Sequence, residues 1–444
     1  MAANQLKRIL GRGFSMAACV GGIIGLGILR TPGEIAKVVS DPWLYVAWWL
    51  GGGVFVLLSL LFVGELMSIT PKSGGAYSLI SRAYGRFPSF VIGWIDWVSY
   101  SATMALKAVV AAEYLAILLP TLSPYSTVLA LVITSAFAIL QLVGTRVSAG
   151  IQETASAGIG LVIAMLACAL FYGAYTGAGL ADITASSGSI AAIGITAYGL
   201  VAASIIFTYD GWFVASYFCG EVKSGGRAVV MGSIQGFLVV MALYMLLNIA
   251  LVFSVPLTSI GGNDLAMAKA LELLFGSGAE TVLVVAAIFI LLAHQNLNYM
   301  MTSRVIYALS QDGLGSQKAT IVADNGAPIG GVILSWVLVC VLIAIGSFEF
   351  LLNLTVSLLL IAYVALVLGV FRLRRSEPNT ERPFVAWGYP YTGVICAVGW
   401  TAVAILISLG SLSSTLFGLA AIIVAIPVFL MLRKWRHLDG QPVA

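Results

Sequence analysis

Charged side chains are scarce. Asp, Glu, Lys and Arg make up 9% of the 444 residues, and hydrophobic ones make up 60%. A soluble domain carries about a quarter charged residues, so a water-exposed globular protein is excluded. A mean hydropathy of +1.04 points to a polytopic membrane protein. Groups that do chemistry are missing too. No catalytic triad, metal-ligand cluster or phosphate-binding loop can be assembled, and the chain has 2 histidines. We therefore expect no enzyme and no cofactor. The five cysteines (Cys19, Cys168, Cys219, Cys340, Cys396) show no CxxC spacing and read as small buried hydrophobes. The net charge of +4 is spread over short loops, which argues against a nucleic-acid partner. A cleavable leader is not evident. The basic start (Lys7, Arg8, Arg12) runs into an apolar segment that is too long and has no clear cleavage site.

Long apolar runs are what the chain does have. A membrane span needs about 20 apolar residues. Twelve segments qualify, near 14–38, 43–70, 88–119, 125–144, 151–176, 192–218, 229–255, 278–309, 329–346, 350–372, 390–410 and 413–432. The connections leave no room for a soluble domain. With the N-terminus inside, 18 of the 22 Lys and Arg residues fall on the inner side, all but Arg30, Lys37, Lys107 and Lys269. That bias predicts a cell-membrane protein with both termini cytoplasmic: a tail over 1–13 and another over 433–444.

Within the first segment lies Gly21-Gly22-Ile23-Ile24-Gly25-Leu26-Gly27-Ile28, four glycines in eight residues. Each costs about 1 kcal/mol relative to Ala in a helix. The run either breaks the helix or permits close packing, since Gly21 and Gly25 form a small-xxx-small pair. A broken span leaves backbone groups free, which is tolerated only around a protein-lined or wet cavity. The sixth segment is interrupted as well, at Phe207-Thr208-Tyr209-Asp210-Gly211-Trp212. An acid at membrane depth is a functional candidate by default. It can equally be structural, satisfying freed backbone amides. The two breaks lie five segments apart. Five is odd, so two halves, 14–176 and 192–374, would have opposite topology, with 390–432 added. Inverted halves with a site at their interface are a transporter's plan.

These residues carry a resemblance. Gly21 to Ile28 is similar to the Gly-x-Ile-Ile-Gly-x-Gly-Ile signature of the amino acid–polyamine–organocation (APC) transporters. Phe207 to Trp212 resembles the Phe-Ala-Tyr-Asp-Gly-Trp of their sixth span, above all in the L-type amino acid transporter branch. Glu65 to Tyr77, Ser303-Arg304 with Gln311-Asp312-Gly313-Leu314, and Arg374 through Pro390 resemble further family blocks, in the family's order. The resemblance implies an all-α, LeuT-type 5+5 inverted repeat plus two helices. It also implies alternating access for L-amino acids in a lipid bilayer. The amides of Leu26 and Gly27 would receive the substrate carboxylate, as a half-helix N-terminus favours. Carbonyls near Ile23, Phe207 and Asp210 would meet the ammonium, with Gly25 and Gly211 at the breaks. Phe207 would close over the substrate from outside. By position, Ser101 and Met104 would face the substrate, as would Asp96. Asn296 matches an Asn of the L-type branch, and Glu65 and Arg304 would hold an inner gate.

Five features depart from the pattern or stand outside it. The lysine that many relatives carry in the fifth span is absent, its place falling at Ile159 or Gly160. This weakens coupling through that amine and favours exchange. Thr208 replaces the family's Ala, so a hydroxyl would border the side-chain pocket. Lys107 and His294 lie deep in their segments. Lys107 either pairs with a carboxylate such as Asp210 or snorkels outward, and is the candidate for a proton-linked group. His294 reads as either a proton shuttle or a structural residue. Asp96 is either a substrate-facing acid or hydrated at the inner mouth. A zwitterion carrier, most simply for neutral amino acids, is the reading these residues favour. A cationic amino acid or polyamine carrier is the alternative. No oligomeric state or accessory subunit can be read from the sequence.

Overall fold

The computed structural model describes residues 5–176, 195–263, 265–276, 278–410 and 412–438. The first residues of the expected 192–218 segment, and the ends of both expected tails, lie outside them. The described residues form sixteen α-helices: α1 (Arg12–Ile23), α2 (Gly27–Ala36), α3 (Pro42–Ile69), α4 (Gly75–Tyr84), α5 (Arg86–Leu118), α6 (Ser126–Val143), α7 (Thr145–Tyr175), α8 (Ile195–Thr208), α9 (Gly225–Ser254), α10 (Leu257–Ile260), α11 (Ala266–Phe275), α12 (Ala279–Gln311), α13 (Ile329–Ile345), α14 (Phe348–Ser376), α15 (Tyr391–Gly410) and α16 (Leu412–Leu438).

Helix occupies every one of the twelve expected segments. Eight of these helices are long and apolar enough to cross a membrane alone, and the bent pair α1–α2 makes a ninth. The apolar stretches Ala197–Thr208 and Ile329–Ile345 are shorter, and α14 runs for 29 residues. What hydropathy did not anticipate is helix in the connections. α4, α10 and α11 are too short or too polar to register as spans. A 3-10 turn, Val214–Phe218, follows the sixth-segment break.

Local chemistry explains the boundaries. Asp41 caps α3, its carboxylate accepting from the Leu44 amide at 2.7 Å, with Pro42 at the first helical position. The first segment breaks where expected. Ile24 leaves the helical region (φ −72°, ψ 94°), and α1 and α2 meet at 44°. The sixth breaks at Gly211, whose φ of +96° is a conformation L side chains resist. α1 packs against α7 and α9, and α5 against α12 and α14. One face of the bundle gathers the start of α1, the ends of α3, α12 and α14, and all of α4. It is called the N-terminal face below.

Candidate functional site

The two interruptions cross in contact. A methyl group on Gly211 would sit 2.5 Å from the Gly22 carbonyl oxygen and 3.0 Å from the Ile23 nitrogen. Glycine is required here because two main chains share the space. On one side of the crossing lies a cavity of about 670 Å³. It is lined by Gly22, Ile23, Gly25, Leu26 and Gly27 from the first break, and by Phe207, Thr208, Asp210 and Gly211 from the second. It reaches the exposed residues Arg30 and Glu113 and so opens away from the N-terminal face.

Backbone polarity at the crossing is arranged for a zwitterion. No side chain caps α2. Its first bonds run from Leu29 and Arg30 to the Leu26 carbonyl, at 3.0 and 3.2 Å. The amides of Leu26 and Gly27 are thus left without a backbone acceptor where both residues line the cavity. An uncapped helix start carries about half a positive charge. The carbonyl end is partly engaged: Phe207 O accepts from the Asp210 amide at 3.0 Å, and each carbonyl keeps a second lone pair.

Tyr244 in α9, which sequence reasoning missed, ties the breaks together. Its hydroxyl donates to the carbonyls of Ile23 (3.1 Å) and Thr208 (3.3 Å), one from each interrupted segment. The ring packs against Trp49 and Tyr209 with centroids 6.1 and 5.1 Å away. In sequence it is one more tyrosine in an apolar run. Tyr244→Phe keeps the ring and deletes the bridge. It should cost about 1–2 kcal/mol and slow transport, measured as initial uptake into proteoliposomes. A native rate would show the bridge to be dispensable. A second tie joins α2 to α8. Thr208 donates to Ser204 O at 2.8 Å, so in its 2.8 Å contact with Thr31 the Thr31 hydroxyl is the donor.

The third wall is α5, and here the expected helical phase needs correction. Ser101 and Met104 do not line the cavity. Both are fully buried, and the Met104 carbonyl accepts from Gln295 Nε2 at 2.7 Å. Tyr100, Thr103, Lys107, Val110 and Tyr114 line it instead, a stripe at helical spacing one residue over. Asn296 is also absent from the lining. It knits α12 to α6 and α7, accepting from Gln141 at 2.9 Å and donating to Ser148 O and Gln152 at 3.0 and 2.9 Å. His294 and Asn298 line the cavity from α12. Lys107 faces inward rather than snorkelling, within electrostatic reach of Asp210 and His294.

Below the cavity the protein is closed. Tyr363 donates a hydrogen bond to Asp210, and Tyr217 donates to both Asp96 oxygens at 2.8 and 3.0 Å. Asp96 is 1% exposed, so it is not hydrated at a mouth, and it is absent from the cavity lining. Deeper still are two separate ionic clusters, not the single Glu65–Arg304 network expected. Arg304 pairs with Glu221, 2.9 Å between Nη2 and Oε2, both side chains 1% exposed. Glu65 instead accepts from Arg374 at 2.5 Å, Arg382 at 2.8 Å and the Ala386 amide at 2.8 Å. The chain's own start seals this face further. Leu10 pairs with the Glu221–Lys223 backbone, N–H to O at 3.0 and 3.1 Å.

Comparison with known proteins agrees with this geometry. The family described as amino acid permease matches residues 14–431. The chain is 24% identical over 403 residues to the serine/threonine exchanger SteT of Bacillus subtilis, covering 89% of this chain and 90% of that one. It is 26% identical over 420 residues to the branched-chain amino acid permease BcaP of Lactococcus lactis, covering 87% and 86%. To the human b(0,+)-type amino acid transporter 1 it is 22% identical over 401 residues, covering 86% and 79%. This polytopic membrane protein, with two broken helices crossing at a cavity, belongs to the amino acid permease family, whose members are transporters and not enzymes.

Proposed function

We propose that the protein exchanges neutral L-amino acids across the cell membrane by alternating access, with both termini in the cytoplasm. The observation that carries this reading is the crossing of the two breaks, with the Leu26 and Gly27 amides unengaged at one cavity. The substrate carboxylate sits on those amides, and the ammonium sits among Ile23 O, Phe207 O and Asp210. The halves 14–176 and 192–374 rock against each other. Phe207, half-buried in the lining, closes from outside, while the Glu65 and Arg304 clusters hold the inner side. Charge supports a neutral substrate: Lys107 offsets Asp210 in the lining, Arg30 is paired with Glu34 at 3.0 Å, and Glu113 is exposed at the rim. A cationic side chain would meet Lys107. Exchange fits the missing fifth-span lysine and the SteT relative, a serine/threonine exchanger.

The test is uptake of a labelled neutral amino acid by proteoliposomes loaded with alanine, leucine, arginine or nothing. Neutral internal substrate should raise initial uptake severalfold over empty vesicles. Rapid uptake into empty vesicles that collapses a pH gradient would refute exchange. Arginine as the best counter-substrate would refute the neutral reading.

A further inference from the structure

Part of the cavity wall beyond the two breaks is polar, although most of the lining is apolar. Thr103 and Lys107 on α5, His294 and Asn298 on α12, and Thr355 on α14 all line it. The first break abuts this group directly: a methyl on Gly25 would lie 2.9 Å from His294 Cε1. Two of the side chains are buried without their full complement of bonds. Asn298 is 4% exposed and its Nδ2 has no hydrogen-bond partner. His294 is 2% exposed; neither ring nitrogen makes a full hydrogen bond, although the Gly21 and Gly22 carbonyls lie nearby. Leaving such a group unpaired costs about 1–3 kcal/mol, which a ligand supplying the partner recovers.

The donor and acceptor pattern narrows the ligand. Thr355 donates to the Leu351 carbonyl and Thr103 to the Ser99 carbonyl, both at 2.9 Å. The two hydroxyls lie 3.3 Å apart, Thr103 Oγ1 toward Thr355 Oγ1, so both protons are turned to protein acceptors and the lone pairs left over face the cavity. Asn298 offers N–H. The subsite therefore presents both kinds of group about one helical turn beyond His294, roughly 6 Å along α12. We infer that this is a side-chain subsite for amino acids ending in a carboxamide, glutamine and asparagine. The inference rests on the reading that the breaks hold the amino acid's carboxylate and ammonium.

A carboxamide brings one carbonyl acceptor and an NH₂ donor, matching Asn298 on one side and the threonine oxygens on the other. A carboxylate would be drawn to Lys107 but only accepts, so it would leave the threonine lone pairs unanswered. An aliphatic side chain leaves both sets without the partner a carboxamide supplies, and should bind more weakly for that reason. A cationic side chain meets Lys107. A serine hydroxyl, on the first side-chain carbon, reaches less far than a glutamine or asparagine carboxamide.

The experiment is competition for exchange in proteoliposomes, by glutamine, asparagine, leucine, serine, aspartate and arginine. It is run with the native chain and with Asn298→Asp and Thr355→Val, both close to isosteric. Size-exclusion profiles in detergent establish that each variant folds. Glutamine and asparagine should compete best. Their apparent affinity should fall about tenfold in each variant, and fall further than leucine's, so that the glutamine-to-leucine affinity ratio drops. Leucine, serine or aspartate competing better than glutamine in the native chain would overturn the inference. Unchanged glutamine affinity in both folded variants would do the same. Failure of every amino acid to exchange would overturn the proposed function instead.

Discussion

Gly211→Ala should abolish transport and lower the melting temperature sharply. Two separate effects add. The φ of +96° costs a non-glycine residue about 1–2 kcal/mol. The added carbon also meets main chain, the Gly22 carbonyl oxygen at 2.5 Å and its carbon at 2.6 Å. A flexible side chain could move aside; a backbone fixed by α1, α7 and α9 cannot. Relief requires the breaks to separate, which stretches the Tyr244 bridge from Ile23 O to Thr208 O. Gly225→Ala is the control. Its φ of +77° imposes similar backbone strain, but nothing lies within 4 Å of the new carbon. That variant should lose about 1 kcal/mol and keep transporting. Thermal unfolding in detergent and proteoliposome uptake measure both. If the two variants behaved alike, strain alone would account for the result and the crossing would not matter.

Gly27→Val probes the same place more gently. Its new carbon would lie 3.1 Å from Thr208 Oγ1, a contact a side chain can relieve. The bulk then remains beside the unengaged amides. Binding should be lost while the fold survives. Persistent transport would move the carboxylate site elsewhere.

The breaks were legible because backbone rules are local. Clustered glycines and an acid at membrane depth announce an interruption without reference to any partner. The phase of α5 was not legible for a physical reason. Asp96, Ser99, Tyr100, Ser101 and Thr103 spread polar groups over several faces of a helix buried around most of its circumference, so the stripe through Tyr100, Thr103 and Lys107 does not stand out. Ser101 and Thr103 look equivalent in sequence. Only packing against α12 turns Met104 toward Gln295 and Thr103 toward the cavity. Asn296 misled similarly: a polar residue inside a span can serve a site or join helices, and its bonds to Gln141, Ser148 and Gln152 join helices. The ionic clusters were half visible. Glu65 and Arg304 each stood out as charges beside apolar runs. Their partners lie 309 and 83 residues away in sequence, and no periodicity connects them.

Glu221 is the residue whose role that blindness hid most completely, and the largest stability effect should come from its partner. Arg304→Met leaves the Glu221 carboxylate at 1% exposure with Ser73 Oγ at 3.2 Å and no cation. Breaking a buried ion pair from one side costs about 3–5 kcal/mol, because a charge stays desolvated and uncompensated. The pair cannot relax into water without opening the N-terminal face, since Thr145 also accepts from Arg304 at 3.1 Å and Leu10 is pinned to the Glu221 backbone. Stability and gating are therefore coupled at this one bond. Cys219, two residues before Glu221 and 3% exposed, reports on it. Peptide-resolved thiol labelling should leave Cys219 protected in the native protein and reactive in Arg304→Met. The double variant Arg304→Met with Glu221→Gln removes both charges, and should recover most of the melting temperature because the desolvation penalty goes with them. If Cys219 stayed protected in the single variant, the pair would be a packing element rather than a lock. If the double variant unfolded as readily as the single, the cost would lie in lost shape and not in stranded charge.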